Sequence, residues 1–116
     1  MKKSFVLFAL LVLLLPACDF DDGFTNLNAS VRRSGTKIIV KNNDNFDYKN
    51  LEIEINKEYK AKFAILPPGK VVEVGYLNFT DKNHNKFNSF TMDAANITIT
   101  CDIPGGKRGF LYGEMD

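Results

Sequence analysis

The sequence predicts an all-β fold, a single antiparallel β-sandwich of about seven strands. The segments LEIEIN (51–56) and NITITC (96–101) alternate apolar and polar residues, as strands do when one face is buried and the other is solvated. Clusters of Asx, Pro and Gly residues recur between the apolar runs at the short intervals typical of a sandwich. At 116 residues the chain is long enough for one domain only.

Each predicted strand is bounded by turn residues. Ser34-Gly35 separates the first two strands, and the Asx-rich segment NNDNFDYKN (42–50) follows the second, since Asn and Asp side chains cap their own backbone in turns. Pro67-Pro68-Gly69-Lys70 predicts a type II turn, because its central pair is Pro then Gly. The polar segment TDKNHNK (80–86) and Pro104-Gly105-Gly106 predict further connections. The predicted strands are 29–33, 36–41, 51–56, 60–66, 71–79, 96–101 and 109–112.

The apolar residues of these strands form the predicted core. They are Ile38, Val40, Leu51, Ile53, Ile55, Phe63, Ile65, Val72, Val74, Ile97, Ile99 and Phe110. The number and spacing of the strands resemble those of immunoglobulin-like and fibronectin-type sandwiches. The chain has no tryptophan and no inter-sheet cysteine pair, so the resemblance implies only the generic architecture. A small antiparallel barrel is the alternative.

An N-terminal leader precedes the predicted domain. Lys2 and Lys3 form a positively charged start, and FVLFALLVLLL (5–15) is an unbroken apolar run. The run is shorter than the roughly 20 residues that a membrane-spanning helix needs. We therefore expect residues 1–17 to be a helical signal peptide for export. An uncleaved anchor or a buried helix is the alternative.

The leader ends in Leu15-Pro16-Ala17-Cys18, which resembles the lipobox of bacterial lipoproteins. The resemblance implies that Cys18 receives a diacylglyceryl thioether, that the leader is cut just before it, and that the new amino group is acylated, for example with palmitate. Two or more acyl chains hold a protein stably on a membrane, whereas one binds marginally. Pro16 departs from the family's preference for Ser, Ala, Thr or Val. The alternative is ordinary secretion, with Cys18 a free thiol or paired with Cys101.

Residues 18–28 are expected to be the lipidated cysteine and an acidic tether, and residues 29–116 the β-sandwich domain. Asp19 matches the position that favours retention in the inner membrane among lipoproteins of enteric bacteria. Of the 15 basic residues, Lys2 and Lys3 leave with the leader, so that 13 remain against 14 acidic residues. This balance gives no electrostatic reason to expect nucleic acid as a partner.

Four further segments resemble a small β domain of uncharacterised bacterial envelope proteins. They are Asn43-Asp44-x-Phe46, Leu51-x-Ile53-x-Ile55-Asn56, Pro68-Gly69 and Cys101-Asp102-x-Pro104-x-Gly106. Because these are turn and core residues, the resemblance implies a fold and no activity.

Cys101 follows Ile97 and Ile99 at alternate positions of one predicted strand. This spacing places its side chain on the apolar face, where a thiol is buried and unreactive. A redox or nucleophilic cysteine is the alternative. The only histidine, His84, lies in a loop, and no C-x-x-C pair is present.

No catalytic, cofactor or metal site is predicted. Asp81-x-Asn83-x-Asn85 begins like a calcium loop, but Lys86 stands where that loop needs glycine and Met92 where it needs a bidentate acid. A polar hairpin loop is the expected structure. Glu52 and Glu54 share a solvent face with their Cβ atoms about 7 Å apart, and no nucleophile motif accompanies them. The sequence identifies no small-molecule substrate.

Five aromatic residues flank the polar loops. If they were exposed together, they would form an interaction surface. The alternative, which we favour, is that they close the ends of the sandwich core. The five residues are Phe46, Tyr48, Phe79, Phe87 and Phe90.

Together these features favour a non-enzymatic, lipid-anchored protein of the bacterial cell envelope, with its domain outside the cytoplasm. Its role would be binding or structural. One partner would be the membrane, through the lipid on Cys18, and another an envelope protein. One alternative is an inhibitor or immunity lipoprotein that acts against an envelope-degrading enzyme. An alternative of another class is a cell-wall hydrolase.

Overall fold

The computed structural model describes residues 24–115. A single 3₁₀ turn, Tyr76–Asn78, follows the sixth strand. The predicted signal peptide, Cys18 and the first part of the predicted tether lie outside the described residues. Over the described range, no helix is long and apolar enough to cross a membrane. The strands are β1 (Phe24–Asn26), β2 (Ala29–Ser34), β3 (Lys37–Asn42), β4 (Tyr48–Ile55), β5 (Tyr59–Leu66), β6 (Val71–Gly75), β7 (Asn96–Ile103) and β8 (Lys107–Glu114).

These strands form two sheets around one apolar core, which confirms the predicted all-β class. The larger sheet has the order β1-β8-β7-β4-β5, and the smaller has the order β2-β3-β6. Every pairing is antiparallel except that of β1 with β8, which is parallel. The larger sheet therefore has two edges, β1 and β5.

The alternating patterns of β4 and β7 determine how the larger sheet faces the core. Ile53 lies opposite Ile99, and Glu52 lies opposite Thr100. Because side chains alternate between the faces of a sheet, the isoleucines are buried and the glutamates lie on the outer face. The predicted type II turn also forms, since Gly69 has a φ of 74° and the Lys70 N–H donates to Pro67 O at 3.1 Å.

Eight of the twelve predicted core residues are buried, and Phe63, Val72 and Phe110 are half-buried. Ile65 is 47% exposed, so its placement in the core was wrong. The reason is a change of phase in β5, where Phe63 packs against the core and Leu66 is buried. Because those two residues are three positions apart, the alternation breaks between them and Ile65 turns outward, opposite Lys49.

The domain also begins earlier than predicted, because β1 lies within the expected tether. Phe24 packs edge to face on Phe110, with ring centroids 6.0 Å apart, and Leu27 is buried. A Cβ atom at Gly109 would lie 2.9 Å from Leu27 Cγ and 3.1 Å from Cys101 Sγ. The absence of a side chain at Gly109 therefore makes room for Leu27.

Two predicted strands differ from the observed ones by three or more residues at one end. The predicted strand 71–79 stops at Gly75, where the 3₁₀ turn begins. The strand predicted at 51–56 starts three residues earlier, at Tyr48. Asn50 within it takes a left-handed φ of 51°, at a register shift between Lys49 and Glu52. Such an irregularity interrupts the alternation on which the sequence prediction depended.

Candidate functional site

The five aromatic residues do not form one surface. Tyr48, Phe79 and Phe87 are fully buried and Phe46 is half-buried against the core, whereas Phe90 is 96% exposed. The interaction surface considered for this set is therefore wrong for the three buried residues. Phe87 contacts Tyr59 and Tyr76, with ring centroids 5.3 and 5.4 Å apart. These contacts close the core at the end of the sandwich where the 80–86 loop lies.

The loop between Phe79 and Phe87 is a polar hairpin, as predicted. The Phe87 N–H donates to Phe79 O at 2.9 Å, and the Asp81 N–H donates to Asn85 O at 2.9 Å. The Asp81 carboxylate accepts the backbone N–H groups of Asn83 and Asn85, both at 2.9 Å. These hydrogen bonds lower the pKa of Asp81. The carboxylate oxygens of Asp81 thus accept hydrogen bonds from within the loop. No group of three or more metal-ligating side chains occurs in residues 24–115.

Cys101 lies in the core as a free thiol, and its predicted burial is confirmed. Burial disfavours the thiolate and raises the pKa of Cys101 to about 11. A thiol with this pKa is protonated at neutral pH, so the side chain behaves as a small apolar residue. Cys18 lies outside the described residues, and the predicted lipidation there stays a prediction.

A buried asparagine joins the two sheets at the end opposite the hairpin. Asn42 is fully buried at the end of β3, and its Nδ2 donates to Phe46 O at 2.8 Å and to Leu66 O at 2.9 Å. Its Oδ1 accepts the Asp44 N–H at 2.8 Å. All the hydrogen-bonding groups of this amide are therefore used, and the last residue of β5 is tied to the smaller sheet.

The edge strand β5 is held at its other end by the hairpin. The Lys60 N–H donates to Thr80 O at 2.9 Å, and the Thr80 N–H donates to Lys60 O at 3.1 Å. Pairing stops at this antiparallel bridge, because Asp81 turns into the hairpin on the Tyr59 side and the 3₁₀ turn Tyr76–Asn78 precedes the bridge on the Lys62 side. Between Lys60 and Leu66, no second strand of the described residues covers the outer side of β5.

Backbone groups of alternate residues point to opposite sides of a strand. Those of Lys60 face Thr80, so those of Ala61 and Phe63 face β4, and those of Lys62 face outward like those of Lys60. Nothing in the described part of the chain bonds to the outward backbone groups of Lys62. We define the open edge as residues 62–65.

A cleft of about 880 Å³ adjoins the Lys62 end of this edge. It is bounded by β5, by the turn at residues 56–58 and by the hairpin at residues 80–84. The charged side chains that line it are four lysines, Lys57, Lys60, Lys62 and Lys82, and three carboxylates, Glu54, Glu58 and Asp81. We call this space the β5 cleft.

The charges of the β5 cleft are only partly compensated. Lys60 Nζ lies 3.6 Å from a Glu52 oxygen and 3.9 Å from a Glu54 oxygen. Lys62 and Lys82 form no salt bridge with any described residue. Glu58 and Asp81 form none either, but neither belongs to β5, so the uncompensated charge on the open edge itself is that of Lys62.

Sequence reasoning did not identify this site. Glu52 and Glu54 lie on the outer face as predicted, but their contact with Lys60 depends on the pairing of β4 with β5. The bridge between Lys60 and Thr80 joins residues 20 positions apart. The lysines that alternate with small and apolar residues in KAKFAIL (60–66) were the one available signal, since charged residues of this kind mark edge strands.

No family model matches the chain, and neither a curated protein nor a solved structure is significantly similar to it. The functional argument therefore depends on the leader sequence and on the geometry of the described domain.

Proposed function

We propose that the protein is a lipid-anchored component of the bacterial cell envelope, whose immunoglobulin-like domain acts outside the cytoplasm as a non-enzymatic binding module. The observation that carries the proposal is the order of basic start, apolar run and Leu15-Pro16-Ala17-Cys18 immediately before the domain. The helical signal peptide belongs to the same proposal, with cleavage before Cys18.

The start of β1 supports a close attachment to the membrane. Phe24 is six residues beyond Cys18, and six extended residues reach roughly 20 Å. A lipid on Cys18 would keep the β1 edge close to the headgroups. The β5 edge is at the opposite side of the larger sheet, where it would remain accessible to a partner in the envelope.

The two cysteines provide a matched pair of variants for the test. The chain is expressed in a bacterium that is fed an alkyne analogue of palmitate, and the label and the detergent-phase partition are measured together. We expect the wild type and Cys101→Ala to carry the label and enter the detergent phase, and Cys18→Ser to lose both. Label or detergent partition that persists in Cys18→Ser would overturn the lipid anchor.

The binding role has a separate test. The purified chain is incubated with labelled cell-wall polymer, and release of soluble fragments is measured. We expect no release above that of a heat-denatured sample. Turnover that increases with protein concentration would instead support the cell-wall hydrolase.

A further inference from the structure

The open edge of β5 is a strand presented in a fixed conformation. At one end two backbone hydrogen bonds join Lys60 to Thr80, and at the other Asn42 Nδ2 holds Leu66 O at 2.9 Å. Because both ends are held by parts of the chain distant in sequence, residues 62–65 are kept extended, and no strand among residues 24–115 pairs with their outer side. A preorganised edge costs an incoming strand less ordering free energy.

The existing bridge also shows how an added strand would be oriented. Thr80 pairs antiparallel to Lys60, so Phe79 and the 3₁₀ turn before it, and not the hairpin, lie on the side of Lys62. A second polypeptide could pair antiparallel along Lys62 and Ala64, with its C-terminal end toward Phe79. Its end beside Lys62 would reach the β5 cleft, which extends from there to the hairpin.

Charge selects the kind of strand that fits. Lys62 borders the open edge and Lys82 lies on the hairpin, and neither is paired with a carboxylate among the described residues. A strand with acidic side chains would pair with them, whereas a basic strand would be repelled.

A second copy of this chain is a poor occupant of the same edge. Antiparallel pairing of two β5 strands would bring Lys60 and Lys62 of one copy close to the same lysines of the other, and like charges on neighbouring strands are destabilising. Lysines on an edge strand are also a common protection against such pairing. The charge thus disfavours a homodimer and leaves the edge available to an acidic partner.

We propose that the open edge of β5 binds an extended, acidic segment of another protein as an added antiparallel strand, with its carboxylates beside Lys62 and Lys82. This inference deepens the proposed binding role by naming the surface and the class of partner. It does not depend on lipidation, which is tested independently at Cys18.

The probe is a fluorescein-labelled peptide of eight residues in which Glu alternates with Val or Thr. The full chain, solubilised in nonionic detergent micelles, is titrated into it and fluorescence anisotropy is recorded at low salt. We expect saturable binding to the acidic peptide and none to the same peptide with Lys in place of Glu. Equal binding of both peptides would contradict the assigned partner class.

Backbone pairing is separated from charge attraction by N-methylation of the peptide. In one version the odd-numbered residues are N-methylated and in the other the even-numbered ones, so the two carry the same charge. An added strand uses the N–H groups of alternate residues only, so we expect one version to lose binding and the other to retain it. Equal affinities for the two versions would exclude strand addition.

The site is located by charge reversal. We expect Lys62→Glu to lower the affinity for the acidic peptide roughly tenfold and to raise the affinity for the lysine peptide. The matched control is Lys41→Glu, which reverses an exposed lysine on the other sheet and is expected to leave both affinities unchanged. An unchanged affinity in folded Lys62→Glu, or an equal loss in Lys41→Glu, would overturn the assignment.

Both failures can be distinguished in one preparation. Detergent-phase partition of the same protein reports the lipid anchor, whereas anisotropy reports the edge. A chain that partitions into detergent but does not bind the acidic peptide would refute the strand-binding site and support the lipid anchor.

Discussion

The two edges of the larger sheet are built differently, although both belong to one hydrogen-bonded array. The β1 edge is three residues long, pairs in parallel with β8 and is followed by the buried Leu27. The β5 edge is eight residues long, carries two outward lysines and, within the part of the chain that the structure describes, is paired on its outer side only with Thr80. One edge is protected by its shortness and by packing, the other by charge.

This difference separates two roles within one domain. The β1 edge stands six residues from Cys18, so we assign it to the proposed membrane attachment. The β5 edge lies four strands away in the sheet order, and we assign it to the proposed binding role. Substitutions that loosen one edge and spare the other test whether the two are independent.

The largest expected effect is loosening of the end of β5 by Asn42→Ala. This change removes three hydrogen bonds at a buried position and leaves the Leu66 carbonyl without its partner. Because each unsatisfied buried group costs about 1–3 kcal/mol, we expect a loss of about 3 kcal/mol in the free energy of unfolding. Urea denaturation measures it.

The control is Asn43→Ala, next to Asn42 in the sequence but exposed, where the lost bond joins Asn43 Nδ2 to Ser30 Oγ at 2.6 Å. A change below about 0.5 kcal/mol is expected there. Equal losses in the two variants would show that the buried amide has no special part in holding β5.

The second-largest effect on stability is expected at the β1 edge. An alanine at Gly109 would collide with Leu27, the residue that connects β1 to the core. We expect Gly109→Ala to cost about 2 kcal/mol and to increase hydrogen exchange in β1. The matched control is Gly113→Ala on the same strand, because a Cβ atom there has nothing within 4 Å. If both alanines are tolerated alike, the close packing of Leu27 does not hold β1.

The third effect is a loss of folding stability at alkaline pH through ionisation of Cys101. Its Sγ would lie 3.1 Å from a Cβ atom at Gly109. Its pKa is about 11 in the fold, against about 8.5 for an unfolded chain. The unfolded state releases the proton first, so the stability gained from burial is complete below about pH 8.5 and is lost as the pH rises toward 11. Between pH 7.5 and 10 we expect a loss on the order of 1–2 kcal/mol under reducing conditions.

The comparison variant is Cys101→Ala, which has no thiol to ionise. Its free energy of unfolding, measured by urea denaturation at both pH values, should change less with pH than that of the wild type. An equal change of the free energy of unfolding with pH in both proteins would mean that ionisation of the Cys101 thiol does not affect stability.

The smallest effect is expected outside both edges. Phe90 is 96% exposed in the loop before β7, so Phe90→Ser removes almost no burial. We expect a change within about 0.5 kcal/mol and unchanged affinity for the acidic peptide. A large loss of either quantity would mean that this loop contributes to the fold or to the β5 cleft.

How much of the fold could be predicted from the sequence depends on how far apart in the chain the interacting residues lie. The clean alternation of Leu51–Ile55 and Ile97–Cys101 predicts the central strands, and Pro68-Gly69 predicts the turn, because these signals are local. The placement of β1 against β8 is not local, since it depends on a gap at Gly109 more than 80 residues later.

The site was less predictable than the fold. By residue type the aromatic residues suit a surface or a core, and the sequence favours the core without deciding it, whereas the packing of Phe87 on Tyr59 and Tyr76 decides for the core. The open edge is defined by the absence, among the strands that the structure describes, of one that pairs with β5 beyond Lys60. No pattern within β5 indicates where Thr80 will stop pairing.

The most direct test of the open edge is residue-specific amide hydrogen exchange, measured by NMR on the unbound protein. We predict that the Lys62 amide exchanges fast, within about tenfold of an unstructured amide, because it faces outward and no described residue accepts its hydrogen bond. The amides of Lys60, bonded to Thr80, and of Phe63, facing β4, should exchange about a hundredfold more slowly. A Lys62 amide as protected as its neighbours would mean that the edge is already occupied, and would contradict the account.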